Sequence, residues 1–258
     1  MTSKHDAATV KTGRRLNKAK DPWAAGDDEL LAVTELPFET EQLRKELQQY
    51  LDQKVDFPEG LSLRLGAIRW GVYAFFDYDA EPIYVGQTKE MLGTRIRRHL
   101  TNQRTDAVAM HVLDPFEVRS IAVWPLPQLE GRPRSDAEAI AHLNALEYAV
   151  FHDLLKKSEF QAVLNEKDPP PPTLPVVIPA EIFGLIVPEA VSLLRDHPDL
   201  RIARRAATLA RLAQVISERK VQKGLRRTLL AQARRLESLA KKRYDHALGA
   251  PSDDDGVV

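Results

Sequence analysis

A chain of 258 residues, 43% of them apolar, is long enough for one large or two small globular domains with a buried core. The absence of cysteine excludes disulfide frameworks, thiolate nucleophiles and Cys-ligated zinc or iron–sulfur centres, so any metal must sit on oxygen or imidazole. No apolar run approaches the ~20 residues of a membrane span and the amino terminus lacks a signal-peptide layout, so a soluble, cytoplasmic protein without membrane contact is expected.

Thirty-seven basic and 37 acidic residues cancel, which taken alone argues against a nucleic-acid partner. The sum hides an asymmetry. Between Arg195 and Arg243 there are fifteen Lys/Arg against four Asp/Glu, whereas the segments on either side are neutral or acidic.

Residues 1–28 are polar and lack apolar periodicity, which predicts a disordered leader. Residues 29–67 read as an N-terminal helical extension, its helix over Glu39–Lys54 with Leu43, Leu47, Tyr50 and Leu51 on one face. The texture changes at Ile68. Trp70–Asp77 and Ile83–Gly86 are rich in strand formers and flank a turn-like Asp77–Pro82, which predicts a hairpin. Leu92, Ile96 and Leu100 then predict a helix over 91–102, Phe116–Trp124 a third strand, and a capping box from Ser135 to Glu138 a long helix through Leu155. The order β, β, α, β, α over 68–167 is an α/β domain.

Residues 168–187 open on Asp168 and four consecutive prolines and are expected to form an extended linker. Beyond it, 188–248 reads as an all-α C-terminal region with breaks near Pro198 and Gly224, followed by an acidic tail over 249–258. In its last helix the pairs Arg226/Arg227, Arg234/Arg235 and Lys241/Lys242 return after about two turns and form a basic stripe, expected to grip phosphates by counterion release. DNA is the expected partner ahead of RNA, although basic residues on a helix are in general merely solvated. The leucines of the same helix suit pairing with a second copy as well as with its own domain.

The predicted hairpin carries Gly71-Val72-Tyr73 on one strand and Tyr84-Val85-Gly86 on the next. Ten residues separate the two tyrosines. Arg95 follows Gly86 by nine positions, His99 lies one helical turn after Arg95, Glu147 falls on the long helix, and Asn165 precedes the prolines. Either tripeptide alone is weak evidence; the ordered set, roughly 70–166, resembles the GIY-YIG nuclease family. The resemblance implies a small domain with a three-stranded, mainly antiparallel sheet flanked by helices, and a metal-dependent endonuclease that hydrolyses DNA phosphodiesters. Tyr73 then looks like the general base or the residue that orients water, with Tyr84 holding phosphate or base in the pocket, while Asn165 either shapes the site or ties down the chain before the linker. Gln87 stands where some relatives place a lysine, and valine replaces isoleucine in both tripeptides.

The residues support that chemistry in their own right. Phosphodiester hydrolysis needs a base for water, positive charge at the phosphorus and help for the leaving oxygen. Glu147 is a hard oxygen ligand suited to one Mg²⁺ or Mn²⁺, and a carboxylate in the apolar stretch Leu146–Phe151 is costly unless paired or metal-bound. Arg95 offers a guanidinium fork for a phosphate, His99 a proton donor or acceptor, and Arg98 an exposed phosphate contact. A strand tyrosine or a helical histidine is by itself more often structural, and His111, His142 and His152 fit no ligand pattern. The alternative function is a catalytically idle nucleic-acid-binding or assembly protein that works through its basic helices.

Overall fold

The computed structural model describes residues 38–101, 112–165, 167–218, 220–221 and 223–249. The leader expected over 1–28, His111 and the acidic tail from 250 onward lie outside these residues. Helix α1 (Phe38–Asp52) precedes a short antiparallel ribbon of β1 (Lys54–Asp56) and β2 (Ser62–Arg64), so the N-terminal extension is not helical throughout. The expected β, β, α, β, α order then appears: β3 (Gly71–Phe76), β4 (Pro82–Thr88), α2 (Leu92–Thr101), β5 (Ser120–Pro125) and α3 (Ala137–Lys157). Among the described residues no helix is long and apolar enough to cross a membrane.

The main sheet is antiparallel and has four strands in the order β4-β3-β5-β6, where β6 spans Ile182–Leu185. The sequence predicts three strands because β6 is only four residues long, follows a run of prolines and buries one face alone, which leaves little periodicity to read. Its place is set by α1. Tyr50 packs where Gly184 has no side chain, since a Cβ there would fall 2.3 Å from the Tyr50 ring, and the Tyr50 hydroxyl donates to the Ile182 carbonyl at 2.7 Å.

Strand alternation sends the side chains of β3 into two cores. Val72 and Ala74, with Val85 and Trp124, meet Leu143, Leu146, Val150 and Leu154 of α3. Tyr73 and Phe75, with Ile121 and Val123, face Leu47 and Leu51 of α1 and Ile96 of α2. Helix α3 is capped by Asp136, whose carboxylate accepts from the Ala139 N–H at 3.0 Å, one residue later than the predicted Ser135.

Helices α4 (Glu189–Arg195), α5 (Pro198–Glu218) and α6 (Lys223–Gly249) form the expected all-α region, but they are not held apart from the sheet. Leu212, Ile216, Leu225 and Ala231 share the core that contains Tyr73. The stretch over 168–187 thus runs along the body and contributes β6 rather than separating two bodies.

Charge fixes this docking. Asp77, Asp79 and Glu81 of the β3–β4 turn and Glu117 before β5 face the helices. The Arg205 guanidinium donates to Asp77 at 2.9 Å and to Glu117 at 3.1 Å, Arg204 donates to Glu117 at 2.9 Å, and Arg201 pairs with Asp79. Arg235 is 1% exposed and donates to the Pro82 carbonyl at 2.9 Å and to Glu81 at 3.3 Å. The expectation that Arg235 contacts nucleic acid is therefore corrected. A helix turns about 100° per residue, so adjacent residues differ in direction; Arg235 points into the core beside exposed Arg234, while both members of the other two pairs are exposed.

Candidate active site

β4 is an outer strand of the sheet, and the candidate residues gather around it from both faces. From one face come Tyr73, opposite Gly86 in the β3–β4 register, and Tyr84, opposite Phe75. The Tyr73 hydroxyl lies 2.8 Å from His99 Nε2 and accepts from Arg95 Nε at 3.3 Å, so one turn of α2 delivers both partners to a single phenol oxygen. The ring of Tyr84 packs on His99 with centroids 5.1 Å apart. Gly86 is required by space: a Cβ there would fall 2.6 Å from the Tyr73 hydroxyl and 2.8 Å from the Tyr84 ring.

From the other face α3 supplies Glu147 and, one turn earlier, Asn144. Gln87, the next residue after Val85 on the α3-facing side of β4, donates through Nε2 to Asn144 Oδ1 at 2.8 Å, and its own Oε1 is buried without a hydrogen-bond partner among the described residues. Arg95 lies within electrostatic reach of both Tyr73 and Glu147, joining the two faces.

The electrostatics set protonation states. Burial, reinforced by Arg95 and Arg98, pushes His99 down to about 3, so its imidazole is neutral near pH 7. Burial holds the Tyr73 phenol well above its ordinary range, with Tyr84 and Glu147 adding to the effect and Arg95 opposing it. Burial also pushes Glu147 up to about 7 against the pull of Arg95. Tyr73 and His99 are fully enclosed, whereas Tyr84, Arg95 and Glu147 keep some contact with solvent, so an incoming phosphate meets the latter three first.

The structure therefore brings Tyr73, Tyr84, Arg95 and His99 together, with Glu147 close to Arg95. Asn165 is tied to the outer edge of β4. Its Oδ1 accepts from the Val85 N–H at 2.9 Å and its Nδ2 donates to the Val85 carbonyl at 2.7 Å. The side-chain amide thus acts as a one-residue strand on the outer edge of β4; both of its polar ends are engaged there, and it is a positioning residue. Arg98 is held by Glu90 at 2.8 Å. Arg226, Arg234, Lys241 and Lys242 are exposed on α6, and Arg227 pairs with Asp168 at the surface. His152 rests against Tyr148, at 4.1 Å between ring centroids. Sequence reasoning missed Asn144, although its spacing of three from Glu147 places the two on one helical face.

The donor chemistry fits a divalent cation. Glu147 is a mostly buried carboxylate that burial makes reluctant to ionise, and a bound cation offsets that cost. Among the described residues no cluster of three or more His, Asp or Glu could hold a metal, so water and phosphate oxygens would complete its shell.

These features define a small α/β domain with a polar site around the outer strand of its sheet. Residues 69–126 match the family model of the GIY-YIG catalytic domain, so the chain carries a nuclease-type fold from a family of endonucleases that typically use a divalent metal. Nucleic acid is the substrate class that the domain implies. Glu147 and Asn165 lie beyond the matched residues. No curated protein and no solved structure gave a match.

Proposed function

We propose that the protein is a metal-dependent endonuclease that hydrolyses DNA phosphodiester bonds at the site around β4. The observation that supports this best is the convergence of Arg95 and neutral His99 on the single hydroxyl of Tyr73, with Glu147 within reach of the same guanidinium.

Arg95 binds the scissile phosphate through its fork, and Tyr84 borders the same opening. Engagement by phosphate draws Arg95 from the Tyr73 oxygen, whose freed lone pair accepts from the attacking water. As the water oxygen bonds to phosphorus and gives its proton to Tyr73, the phenol passes its own proton to His99 Nε2, while the P–O bond to the leaving oxygen breaks and that oxygen takes up a proton from solvent; Tyr73 need not ionise beforehand. Burial keeps the phenol protonated and the imidazole neutral, which are the starting states this relay needs, and it makes the protonated imidazole short-lived. Glu147 would hold the divalent ion, which when bound supplies positive charge to the phosphate and the leaving oxygen. Exposed Arg226, Arg234, Lys241 and Lys242 give α6 a phosphate-facing stripe of its own, distinct from the arginines turned inward.

The test is cleavage of plasmid and single-stranded DNA with Mg²⁺ or EDTA, comparing wild type with Tyr73→Phe and Glu147→Gln. Each substitution should lower kcat by about 10²–10⁴-fold. Metal-dependent cleavage at wild-type rate by Glu147→Gln would overturn the site assignment. Binding of DNA with no cleavage of any substrate would favour the idle, nucleic-acid-binding reading.

A further inference from the structure

Among the described residues β4 has no strand on its outer side, yet it carries Tyr84 and Gly86 on either side of Val85. A strand edge holds its place only if its outward N–H and C=O groups find partners. At Val85 one side chain takes both: Asn165 Oδ1 accepts from the N–H at 2.9 Å, and Asn165 Nδ2 donates to the carbonyl at 2.7 Å. Asn165 belongs to no helix or strand, so this clip is only as firm as the anchor of its own backbone.

Helix α6 supplies the anchor. Thr228 lies on its inward face between Leu225 and Ala231 and is 1% exposed. Threonine is a weak helix former, and its hydroxyl is costly to bury without a bond, so an apolar helix face has no packing need for it. The hydroxyl reaches out of the helix and donates to the Asn165 carbonyl at 3.2 Å. Seven residues on, two turns along the same face, Arg235 donates to the Ala162 carbonyl at 3.3 Å and to the Pro82 carbonyl at 2.9 Å. The helix therefore holds β4 at two points, directly at Pro82 and through Asn165 at Val85. Tyr84 lies between them, its ring 5.1 Å from that of His99 and 6.2 Å from that of Tyr73 between centroids.

We infer that Thr228 is a positioning residue of the nuclease site: by anchoring Asn165 it fixes Val85 on the sheet edge, and with it the placement of Tyr84 and Gly86 against Tyr73 and His99. This role rests on the nuclease reading for the reaction it serves. It makes the C-terminal helices part of the catalytic centre as well as a tether for DNA. If the hydroxyl did no more than satisfy a buried carbonyl, its loss would lower stability and leave the chemistry of the folded protein unchanged.

Two full-length variants separate these roles: Thr228→Val keeps the branched shape and removes the donor, and Thr228→Ser keeps the donor. Thr228→Val should lower kcat about tenfold with KM within about twofold of wild type, since displaced groups slow the chemical step while the outward phosphate contacts of α6 are untouched. Thr228→Ser should recover most of that loss. Independently of cleavage, amide hydrogen exchange by NMR follows the Val85 N–H, whose acceptor is the Asn165 side chain. It should exchange about tenfold faster in Thr228→Val and near the wild-type rate in Thr228→Ser, with the amides of the central strand β3 as the control for global unfolding. Wild-type kcat in Thr228→Val, a loss that serine does not restore, or Val85 exchange that rises no more than that of β3 overturns the inference. If wild type cleaves no nucleic acid, the nuclease reading fails by itself, and the Val85 exchange still decides whether Thr228 anchors the edge.

Discussion

Tyr73 occupies the tightest position in the site. Its hydroxyl accepts from Arg95, faces His99 Nε2 and abuts Gly86, so three elements are adjusted to one oxygen. Gly86→Ala would place a methyl group within 2.6 Å of that oxygen and force the phenol from its partners. The expected outcome is a folded protein with cleavage reduced about 10²-fold, the loss that accompanies ångström-scale misplacement of catalytic groups; a single-turnover assay at saturating DNA measures it. As the proposed cation ligand, Glu147 should set the pH dependence of cleavage. With Glu147 held near 7, the fraction ionised and able to bind a cation rises as pH increases through that value. The activity profile should therefore have an acidic limb near pH 7 that moves to lower pH as the Mg²⁺ concentration is raised, because cation and proton compete for one carboxylate. A limb that stays in place at all Mg²⁺ concentrations would count against Glu147 as the ligand.

Helix α6 does two jobs on two faces. Inward, Arg235 donates to the carbonyl of Pro82, the first residue of β4, and to Ala162 at 3.3 Å, while Thr228 donates to the carbonyl of Asn165 at 3.2 Å. Asn165 in turn holds Val85, so the helix braces the strand that carries Tyr84 and Gly86. Outward, Arg226, Arg234, Lys241 and Lys242 are free to meet solvent phosphates. Neighbouring arginines should thus behave oppositely. Arg235→Met breaks a buried ion pair and should cost about 3–5 kcal/mol in urea unfolding. Arg234→Ala should leave stability within about 0.5 kcal/mol and lower the slope of log binding constant against log salt by about one unit if it contacts a phosphate. An unchanged slope after replacing all four outward residues would show that the stripe serves another partner.

For the molecule as a whole, part of the balance behind the zero net charge is internal. Four of the fifteen basic residues between Arg195 and Arg243, namely Arg201, Arg204, Arg205 and Arg235, meet Asp77, Asp79, Glu81 and Glu117 of the sheet domain, while Arg226, Arg234, Lys241 and Lys242 of α6 face solvent. Burial of the site also couples stability to pH. His99 is depressed to about 3, so between that value and about 6.5 the unfolded chain binds the extra proton and stability rises with pH. Glu147 is raised to about 7, so between about 4.5 and 7 the folded chain binds the extra proton and stability falls with pH. Over pH 4.5–6.5 the two slopes oppose each other. Glu147→Gln removes one of them, and its stability should rise with pH by about 1.4 kcal/mol per unit more steeply than that of wild type. Equal slopes in denaturant titrations of the two proteins would refute the assignment of Glu147 as a buried, proton-binding carboxylate.

The strands and helices around the two tripeptides were legible because local signals agreed: strand formers with a turn between them, then apolar residues recurring at helical spacing, with Tyr73, Arg95, His99 and Glu147 in order along them. Strand β6 was not legible, since four residues after a proline run have no period to detect and are recruited by packing against Tyr50. The role of Asn165 was equally hidden, because an amide beside a sheet edge is a matter of contact across 80 residues of chain. The sequence by itself determined which groups are present, their local elements and the total charge. Only the tertiary structure decided which arginines are sealed against carboxylates and which face solvent, and which carboxylate and imidazole lose their ordinary pKa values. Burial, ion pairing and edge capping are relations between distant segments, and local periodicity carries no information about them.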